Sequence, residues 1–392
     1  MSWPKVRLVE VAKIVSGATP STSNDAYWNG DVSWVTPKDL SDLKGRKFLS
    51  GTPRTLTELG LKACSAEVLP PHSVLFSSRA PIGLVAINKL PVATNQGFKS
   101  FIPDRKRLDA DYLYHWLRLN RPALEQLGVG ATFKEVSKAI VSRVEIPLPP
   151  LEEQQRIAAM LDKAEELRAK RRAAIGLLDQ LPQAIFLEMF GDPKTNPKGW
   201  PVGSLTDPSV AVIFGGGTPS RAIPAYFEGD ICWATSKDIK RELLVDTQEH
   251  VTAEAVARSA TKLVPSGSLL VVVKSKILAR TLPLAISQVP VCFGQDLKGI
   301  VPKKPESVHF LFHSLKAGER WLLERARGIN TEGLTLEHLR DFPLSIPPAD
   351  LQGRFGAKVE AIHRARAANQ SALGKLDRLI ASLQATAFKG EF

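Results

Sequence analysis

Two stretches of about forty residues each show the hydrophobic spacing of a helix that buries one narrow face. Alternating steps of four and three residues from Ile157 reach Leu161, Ile175, Leu178 and Ile185. The second stretch repeats this pattern at Phe355, Val359, Ile362, Leu373, Leu376, Ile380 and Leu383. A stripe this narrow favours two helices that pack against each other as a coiled coil over burial in a globular core.

The predicted helices extend over about residues 151–190 and 349–388. Each begins just after a Pro-Pro pair, and proline suits the first turn of a helix. Pro182 lies inside the first helix, so we expect it to kink or shorten that helix. Both seams become polar at the same two places, Arg168 and Arg171 in the first helix and Arg366 and Asn369 in the second.

The rest of the chain consists of short β-branched runs separated by Gly, Pro, Asn and Asp, a pattern that predicts many strands. The clearest candidate strands are residues 74–76, 84–87, 92–94, 269–273 and 284–286. Short helices are predicted at residues 111–120 and 308–316. The mixture of short strands and short helices predicts an α+β fold for these parts.

The chain contains an internal duplication. A shift of 199 residues places residues 16–42 over residues 215–241 with 12 identities in 27 positions. Composition alone gives about two. The offset drifts to 195 and settles at 198, where YLYHWL overlies FLFHSL and VEIPLPPLEEQQRI overlies FPLSIPPADLQGRF. A nearly constant offset over this length indicates one unit written twice.

Each copy consists of an α+β domain followed by a long helix. The predicted boundaries are residues 1–148 for the first domain, 149–192 for the first helix, 193–346 for the second domain and 347–392 for the second helix. The fold class is therefore α+β, with two similar domains and two helices that pack together.

Charge suggests the kind of partner. The chain has 52 Lys and Arg against 40 Asp and Glu, a formal charge of +12, so a polyanion is the first candidate. The three cysteines, Cys64, Cys232 and Cys292, are far apart and fit neither a disulfide framework nor paired zinc-ligand spacing, which indicates buried thiols in a reducing cytoplasm. The most apolar run, residues 268–273, is too short to cross a bilayer, and no membrane partner is expected.

Recognisable active-site motifs are missing from the sequence. Residues 196–199, the string nearest to an adenine methyltransferase tetrapeptide, lack its aromatic residue. The glycines at 215–217 lack the Lys-Ser/Thr of a phosphate loop. His115 and His313 recur, but their apolar flanks favour a packed helix over a site. We therefore expect no catalytic residue and no metal site, and the chain is interpreted as a binder.

A protein that reads duplex DNA needs cations for phosphates and amide, guanidinium or hydroxyl groups for base edges. In the first copy the candidates are Thr19, Ser21, Tyr27, Lys38, Ser77, Ser78, Arg79, Asn95, Gln96 and Lys99. In the second copy they are Thr218, Ser220, Arg221, Tyr226, Lys237, Lys274, Lys276, Gln295 and Lys298. The lysines that recur fit phosphate contacts, although a Lys beside Asp fits a surface ion pair equally well. Trp34 and Trp233 fit a core better than an interface.

The two copies differ in the loops where domains that recognise different DNA sequences are expected to differ. Residues 77–80 of the first copy face residues 273–276 of the second, and 22–25 face 221–224, with little identity in either pair. Forty helical residues span roughly 60 Å, whereas one DNA turn is about 34 Å. Two domains held apart by such helices predict a target in two separated, unequal halves.

Several longer strings are characteristic: GATPS with YWNGDVSWVTPKDL, then ATNQGF, then GATFKEVSKAIVSRVEIPLPPLEEQQRIAAMLD, and MFGDPKTNPKGWP at the join of the copies. Together with the twofold order of domain and helix, which ends in AFKGEF, they make the chain resemble the specificity subunits of type I restriction-modification systems. The second copy departs from this pattern, with residues 294–297 facing 95–98 and residues 328–330 facing 130–132.

The resemblance implies that each domain reads one half of a split double-stranded DNA target. It also implies that the helices lie antiparallel as a spacer and bind two methyltransferase subunits, with restriction subunits as further partners. S-adenosylmethionine, ATP and Mg²⁺ would then belong to the partners, and no cofactor is expected in this chain. Two alternatives stay open: a single-chain restriction-modification enzyme, which the missing motifs disfavour, and a coiled-coil adaptor or degenerate specificity subunit without its own sequence readout.

Overall fold

The computed structural model describes residues 3–130, 134–326 and 333–389 of the chain. One pair of aligned segments in which the second copy departs from the family pattern lies largely outside the described residues: all of 328–330 and most of 130–132. The last three residues of the AFKGEF string also lie outside them. The chain forms two compact units, Met1–Arg171 with Ala372–Phe392 and Arg172–Ser371. Each unit joins one α+β domain with half of each long helix, and the four domain boundaries stay a prediction.

The strands repeat in the same order in both units. The first unit contains β1 (Lys5–Arg7), β2 (Ala12–Ser16), β3 (Trp28–Val35), β4 (Phe48–Leu49), β5 (Thr55–Leu56), β6 (Val74–Phe76), β7 (Val85–Asn88), β8 (Val92–Thr94), β9 (Lys99–Pro103) and β10 (Glu145–Pro147). The second contains β11 (Val202–Gly203), β12 (Ala211–Gly215), β13 (Ile231–Ala234), β14 (Leu243–Leu244), β15 (Glu249–Val251), β16 (Leu269–Val272), β17 (Leu284–Ser287), β18 (Val291–Phe293), β19 (Leu297–Pro302) and β20 (Leu344–Ser345).

Sheet topology confirms the duplication. The first unit has a five-stranded sheet of order β2-β9-β6-β7-β4, a three-stranded sheet of order β5-β3-β8 and the pair β1-β10. The second has β12-β19-β16-β17-β14, β15-β13-β18 and β11-β20, so that adding ten to every label converts one unit into the other. The five strand runs predicted from hydrophobicity all coincide with strands, to within one or two residues at their ends.

The helices follow the sequence pattern closely. They are α1 (Leu8–Val11), α2 (Pro37–Asp42), α3 (Glu58–Cys64), α4 (Ala110–Leu119), α5 (Arg121–Gln126), α6 (Lys138–Arg143), α7 (Leu151–Phe190), α8 (Ala253–Ala257), α9 (Val308–Ala317), α10 (Glu319–Ala326), α11 (Leu336–Arg340) and α12 (Ala349–Lys389). Short 3-10 turns cover Asp25–Tyr27, Pro224–Phe227, Lys276–Ala279 and Pro305–Ser307. No helix of the described residues is long and apolar enough to cross a membrane.

Pro182 was expected to kink or shorten the first long helix, and the expectation of a shorter helix is wrong. The helix continues for eight residues beyond it, to Phe190. Phe186 and Phe190, both 2% exposed, lie one and two turns after the proline in the core of the second unit. Burial of these two rings is worth about 1.5–3 kcal/mol each, comparable with the roughly 3 kcal/mol that an internal proline costs.

The first polar position of each helix seam, Arg168 or Arg366, forms the same ion pair in both units. Arg168 Nε lies 2.7 Å from Asp377 Oδ1, and Arg366 Nε lies 2.5 Å from Asp179 Oδ1. Residues later in α7 therefore pair with residues earlier in α12, so the helices are antiparallel. Arg168 and Arg366 are 198 residues apart, and so are Asp179 and Asp377, which is the offset of the duplication in this region. The two ion pairs therefore join corresponding positions of the two copies.

Reversing one of these pairs tests the helix register. We expect Asp377→Arg to destabilise the chain, because two guanidinium groups would then meet, and Arg168→Asp in the same chain to restore about 0.5–1 kcal/mol. Denaturant unfolding of the two single variants and the double variant measures this coupling. Single-variant losses that simply add would show that the two side chains do not interact.

The outer ends of the seams pack into the domains. Ile157 and Leu161 belong to the core of the first unit together with Phe388 near the end of α12. Phe355 and Val359 occupy the corresponding place in the second unit. The inner seam residues Ile175, Leu178, Leu373 and Leu376 are half-buried, and Ile380 is buried. Each domain is thus attached to one helix start and one helix end.

Candidate nucleic-acid interface

The candidate loops of the first unit meet at one edge of its sheets. The backbone N–H of Ala18 donates to Thr94 O at 2.8 Å, and that of Asn95 donates to Val35 O at 2.9 Å. The Thr19 hydroxyl donates to the Gln96 side-chain oxygen. Three segments far apart in sequence, the loop after β2, the end of β3 and the loop after β8, therefore form one surface.

Glycine allows this convergence in both units. A Cβ atom on Gly17 would lie 1.9 Å from Asn95 O, and one on its counterpart Gly216 would lie 2.0 Å from Gly294 O. No side chain fits at these distances, because the obstructing atoms belong to the backbone. The loops that carry the Thr-Pro-Ser string are thus held against the β8 and β18 loops by the same close approach.

Lys38, Ser21 and Gln96 are exposed on this edge, and Thr19, Tyr27 and Asn95 are half-buried. Lys38 lies at the second position of α2, 2.6 Å from Asp42 Oδ2, with both side chains mostly exposed. A pair this exposed contributes little to stability and is easily exchanged for a phosphate. These six side chains stay candidates for DNA contact.

Arg79 and Lys99 share one carboxylate. Lys99 Nζ donates to Glu135 Oε1 at 3.0 Å, and Arg79 Nη1 lies 3.8 Å from Glu135 Oε2. The Lys99 side chain is only 9% exposed, whereas that of Arg79 is 36% exposed. A phosphate would have to displace Glu135 before it reached Lys99, so Arg79 is the accessible cation of this group.

Ser77 and Ser78 lie in the interior, contrary to a role at base edges. Ser77 Oγ donates to Pro81 O at 2.7 Å and accepts from Leu84 N at 2.8 Å, while Ser78 Oγ donates to Gly97 O at 3.1 Å. Both side chains are fully buried. The two hydroxyls therefore stabilise the turn that presents Arg79.

The second unit presents a different set of side chains. The exposed candidates are Thr218, Ser220, Arg221, Lys237, Lys274, Lys276 and Gln295. Lys298 is half-buried and Tyr226 is 7% exposed, so the tyrosine belongs mainly to the core. Trp34 and Trp233 are each 3% exposed, as the core interpretation predicted. Cys232 and Cys292 are buried, but Cys64 is only half-buried.

Arg221 is already engaged within the second unit. Its guanidinium makes two contacts with the Glu249 carboxylate, at 2.5 and 2.8 Å. The same guanidinium lies over the rings of Phe227 and Trp233, at 4.4 and 5.5 Å from their centroids. Bidentate pairing with a carboxylate leaves this arginine with little free charge for DNA.

Sequence reasoning missed Arg54, which lies over the corresponding pair of aromatic rings in the first unit. Its guanidinium lies 3.9 Å from the Trp28 ring centroid and 4.7 Å from that of Trp34. Through the offset of 195, Arg54 corresponds to Glu249. Among the described residues no carboxylate forms an ion pair with Arg54, and the side chain is exposed. Two aligned positions therefore differ, because Thr22 and Arg54 of the first copy correspond to Arg221 and Glu249 of the second. The first unit keeps an arginine over the rings without the carboxylate that neutralises Arg221 in the second.

Beneath each domain, a charged cluster contacts the start of its helix. In the first unit Lys47 Nζ lies 2.6 Å from Asp162 Oδ2 and also pairs with Asp111, and His115 Nε2 lies 2.8 Å from Asp162 Oδ1. Burial opposes the charge on Asp162, but hydrogen bonds from His115 and Lys47 outweigh it and lower the pKa of this carboxyl. The cluster is therefore a cation held by two carboxylates.

The second unit reverses the sign of the central charge. Glu242 corresponds to Lys47, and its Oε1 lies 3.2 Å from His363 Nε2 and 3.8 Å from His313 Nε2. His309, which corresponds to Asp111, lies 2.8 Å from Glu360. Burial opposes the charge on Glu242, but the hydrogen bond from His363 and the neighbouring imidazoles lower the pKa of its carboxyl. The two units thus attach to their helices through opposite charges.

Comparison with known proteins decides the family. The model of the type I restriction modification DNA specificity domain matches residues 2–176 and again residues 197–371. The chain belongs to this family. Both copies of the duplication are matched, so the prediction of a specificity subunit is confirmed.

Named relatives of this specificity-domain chain are similar along most of their length. The chain is 28% identical to the type I restriction enzyme MjaIX specificity subunit of Methanocaldococcus jannaschii, over 96% of this chain and 90% of that protein. It is also 28% identical to the EcoR124I/EcoR124II specificity subunit of Escherichia coli, over 62% of this chain and 61% of that protein.

Solved structures show that the specificity-family fold is shared. A type I restriction-modification system chain superposes with a TM-score of 0.63 at 22% identity, covering 100% of this chain and 98% of that one. The S subunit from M. genitalium superposes with a TM-score of 0.59 at 14% identity, covering 99% of this chain and 96% of that one. The predicted architecture, two similar α+β domains each followed by a long helix, is therefore confirmed.

Proposed function

We propose that this chain reads an asymmetric, two-part DNA target and directs methyltransferase subunits to it. The observation that carries the proposal is the contrast within one frame: two domains of identical strand order display different side chains on the same edge. Arg54 and Glu249 occupy equivalent positions with opposite charge. Domains that share a scaffold but differ in charge at the surface would select different half-sites.

The antiparallel helices support a spacer and docking role. Their exposed faces carry mixed charges, such as Lys163, Glu166 and Lys170, which pair along the helix. Two methyltransferase subunits, and restriction subunits where the system includes them, would bind here. S-adenosylmethionine, ATP and Mg²⁺ would be bound by those subunits, and this chain would contribute recognition without catalysis.

Mapping methylated adenines in a host that expresses this chain with its methyltransferase tests the proposal. We expect a single motif of two unequal blocks separated by a fixed gap. Exchanging residues 193–346 for the corresponding domain of a relative should change one block and leave the other. A continuous motif, or methyl transfer by the purified chain alone, would contradict the proposal.

Arg54 is expected to contribute directly to binding. Arg54→Ala should weaken DNA affinity and, if the guanidinium meets a phosphate, reduce the slope of log affinity against log salt by about one. Fluorescence anisotropy of the complex over a salt series measures both. Arg258→Ala is the matched control, because Arg258 is exposed and pairs with Glu254 on α8. Equal effects from both variants would remove Arg54 from the interface.

The same titrations separate the proposal from an adaptor that docks methyltransferases without reading DNA. A reader keeps its preference for the target over unrelated DNA as salt rises, since base contacts add to the phosphate contribution. An adaptor complex would lose both affinities in parallel.

A further inference from the structure

Three side chains with metal-binding chemistry meet in the second unit. Cys232 Sγ lies 3.6 Å from Asp246 Oδ1, and His250 Nε2 lies 2.9 Å from the same oxygen. All three ligand atoms lie within 4.8 Å of one another. We propose that Cys232, Asp246 and His250 form a binding site for one divalent cation of the Zn²⁺ type.

One of the ligand-to-ligand distances already has the value that tetrahedral coordination requires. Zn²⁺ bonds of about 2.0–2.3 Å to sulfur, nitrogen and oxygen place neighbouring ligand atoms about 3.3–3.6 Å apart. The sulfur-to-oxygen distance already has this value. The nitrogen-to-oxygen distance is that of a hydrogen bond, which the metal would replace with a small outward movement of the exposed Asp246 carboxylate. A water molecule would complete the shell.

The donor set selects the class of metal. A thiolate and an imidazole suit Zn²⁺ and related transition metals, whereas Mg²⁺ and Ca²⁺ prefer oxygen ligands only. On binding, the Cys232 S–H bond breaks, the sulfur bonds to the metal and the proton passes to solvent. His250 binds as the neutral imidazole and gives up its contact with Asp246. No oxidant or reductant is required.

The backbone holds the three groups in place before any metal binds. Cys232 and His250 are direct partners in the antiparallel pairing of β13 with β15. Thr247 fixes the segment that carries Asp246, because its hydroxyl accepts from Trp233 N at 3.1 Å and donates to Glu249 O at 2.7 Å. A prearranged site binds with less loss of conformational freedom than one that must be assembled.

The duplication provides an internal comparison. The corresponding residues of the first unit are Ser33, Gly51 and Thr55, and Ser33 pairs with Thr55 in the same register. All three metal-binding residues are therefore present in one copy and replaced in the other. Strand alternation places Glu249 on the opposite face of β15, where it holds Arg221. A metal at His250 would steady the strand that positions this arginine.

Metal titration of the full-length chain tests the site. After removal of metal with a chelator, Zn²⁺ is added in competition with a chromophoric chelator, and Co²⁺ serves as the spectroscopic probe for a metal–thiolate bond. We expect one equivalent to bind, with a thiolate charge-transfer absorption for Co²⁺. Zn²⁺ should also raise the unfolding temperature of the wild-type chain.

The variants come from the first copy, which shows that the frame tolerates them. Cys232→Ser should abolish the Co²⁺ charge-transfer absorption, and both Cys232→Ser and His250→Thr should weaken Zn²⁺ binding at least about tenfold. Cys292→Ser, a buried thiol on neighbouring β18, and His363→Gln, in the histidine cluster, should bind as the wild type does. Absence of saturable binding, wild-type binding by Cys232→Ser, or loss of binding in either control would overturn the proposal.

Discussion

Replacing Phe190 with alanine is expected to lower the free energy of unfolding by about 3–5 kcal/mol. The ring is 2% exposed, and its centroid lies 4.9 Å from that of Phe310 and 5.5 Å from that of Phe355. These three rings join the end of α7, helix α9 and the start of α12. Their loss leaves a cavity that rigid helices on three sides cannot close, and denaturant unfolding followed by far-UV circular dichroism measures its cost.

Leu187→Ala is the matched control on the same helix, because Leu187 is 44% exposed. We expect a change within about 0.5 kcal/mol, since the surface substitution removes few contacts. Similar losses for Phe190→Ala and Leu187→Ala would mean that Phe190 is not packed between these helices.

The first unit has a corresponding aromatic contact at the end of its other long helix. Phe388, which corresponds to Phe190, contacts Tyr112 there, with ring centroids 5.2 Å apart.

The second large effect is a loss of stability in mild acid that depends on His313. Burial lowers the pKa of His313 from its usual value of 6.5 to about 4. Between pH 6.5 and about 4, the His313 imidazole is protonated in the unfolded chain but stays neutral in the folded chain. The free energy of unfolding therefore falls as the pH drops through this range. The loss is on the order of 3 kcal/mol for this residue.

His313→Asn should remove this acid sensitivity. His313 Nδ1 lies 2.9 Å from Gln183 Oε1, and an asparagine amide can keep a donor near that place without titrating. The measurement is the denaturant midpoint at several pH values from 7.5 to 4. A wild-type slope retained in His313→Asn would show that another group causes the loss.

His363 provides a control of opposite sign. The hydrogen bond to Glu242 raises the pKa of His363 above its usual value, so the folded chain binds this proton at a pH where the unfolded chain does not. Its contribution to stability is present below pH 6.5 and is lost as pH rises through the higher, folded pKa. His363→Gln should therefore reduce stability on the acidic side of neutrality, whereas His313→Asn should increase it.

The charged clusters around His115 and His313 could be predicted from the sequence only in part. The recurrence of His115 and His313 in apolar flanks predicted buried positions, and both are at most 4% exposed. Nothing local indicated that Lys47 would face two carboxylates in one unit while Glu242 faces histidines in the other. These partners are about 60 to 120 residues away along the chain, and only the packing of a domain on its helix brings them together.

The sequence named candidate residues for DNA contact but not how they are arranged. The structure brings the Thr19 and Gln96 loops together, whereas the Ser77 and Ser78 side chains point inward because the turn after β6 uses their hydroxyls. Arg54 was missed because its sequence neighbourhood is unremarkable. Its aromatic partners, Trp28 and Trp34, come from another strand.

The order of residues was enough to predict the duplication, the two long helices, the principal strands and the family. These properties depend on periodicity and repetition, which can be recognised in the order of residues without knowledge of any tertiary contact. The folded chain was needed to learn which of the candidate cations are free, which hydroxyls are buried, and that Cys232, Asp246 and His250 meet. Those outcomes depend on contacts between distant segments, where a shift of one residue in register moves a side chain to the other face of its strand.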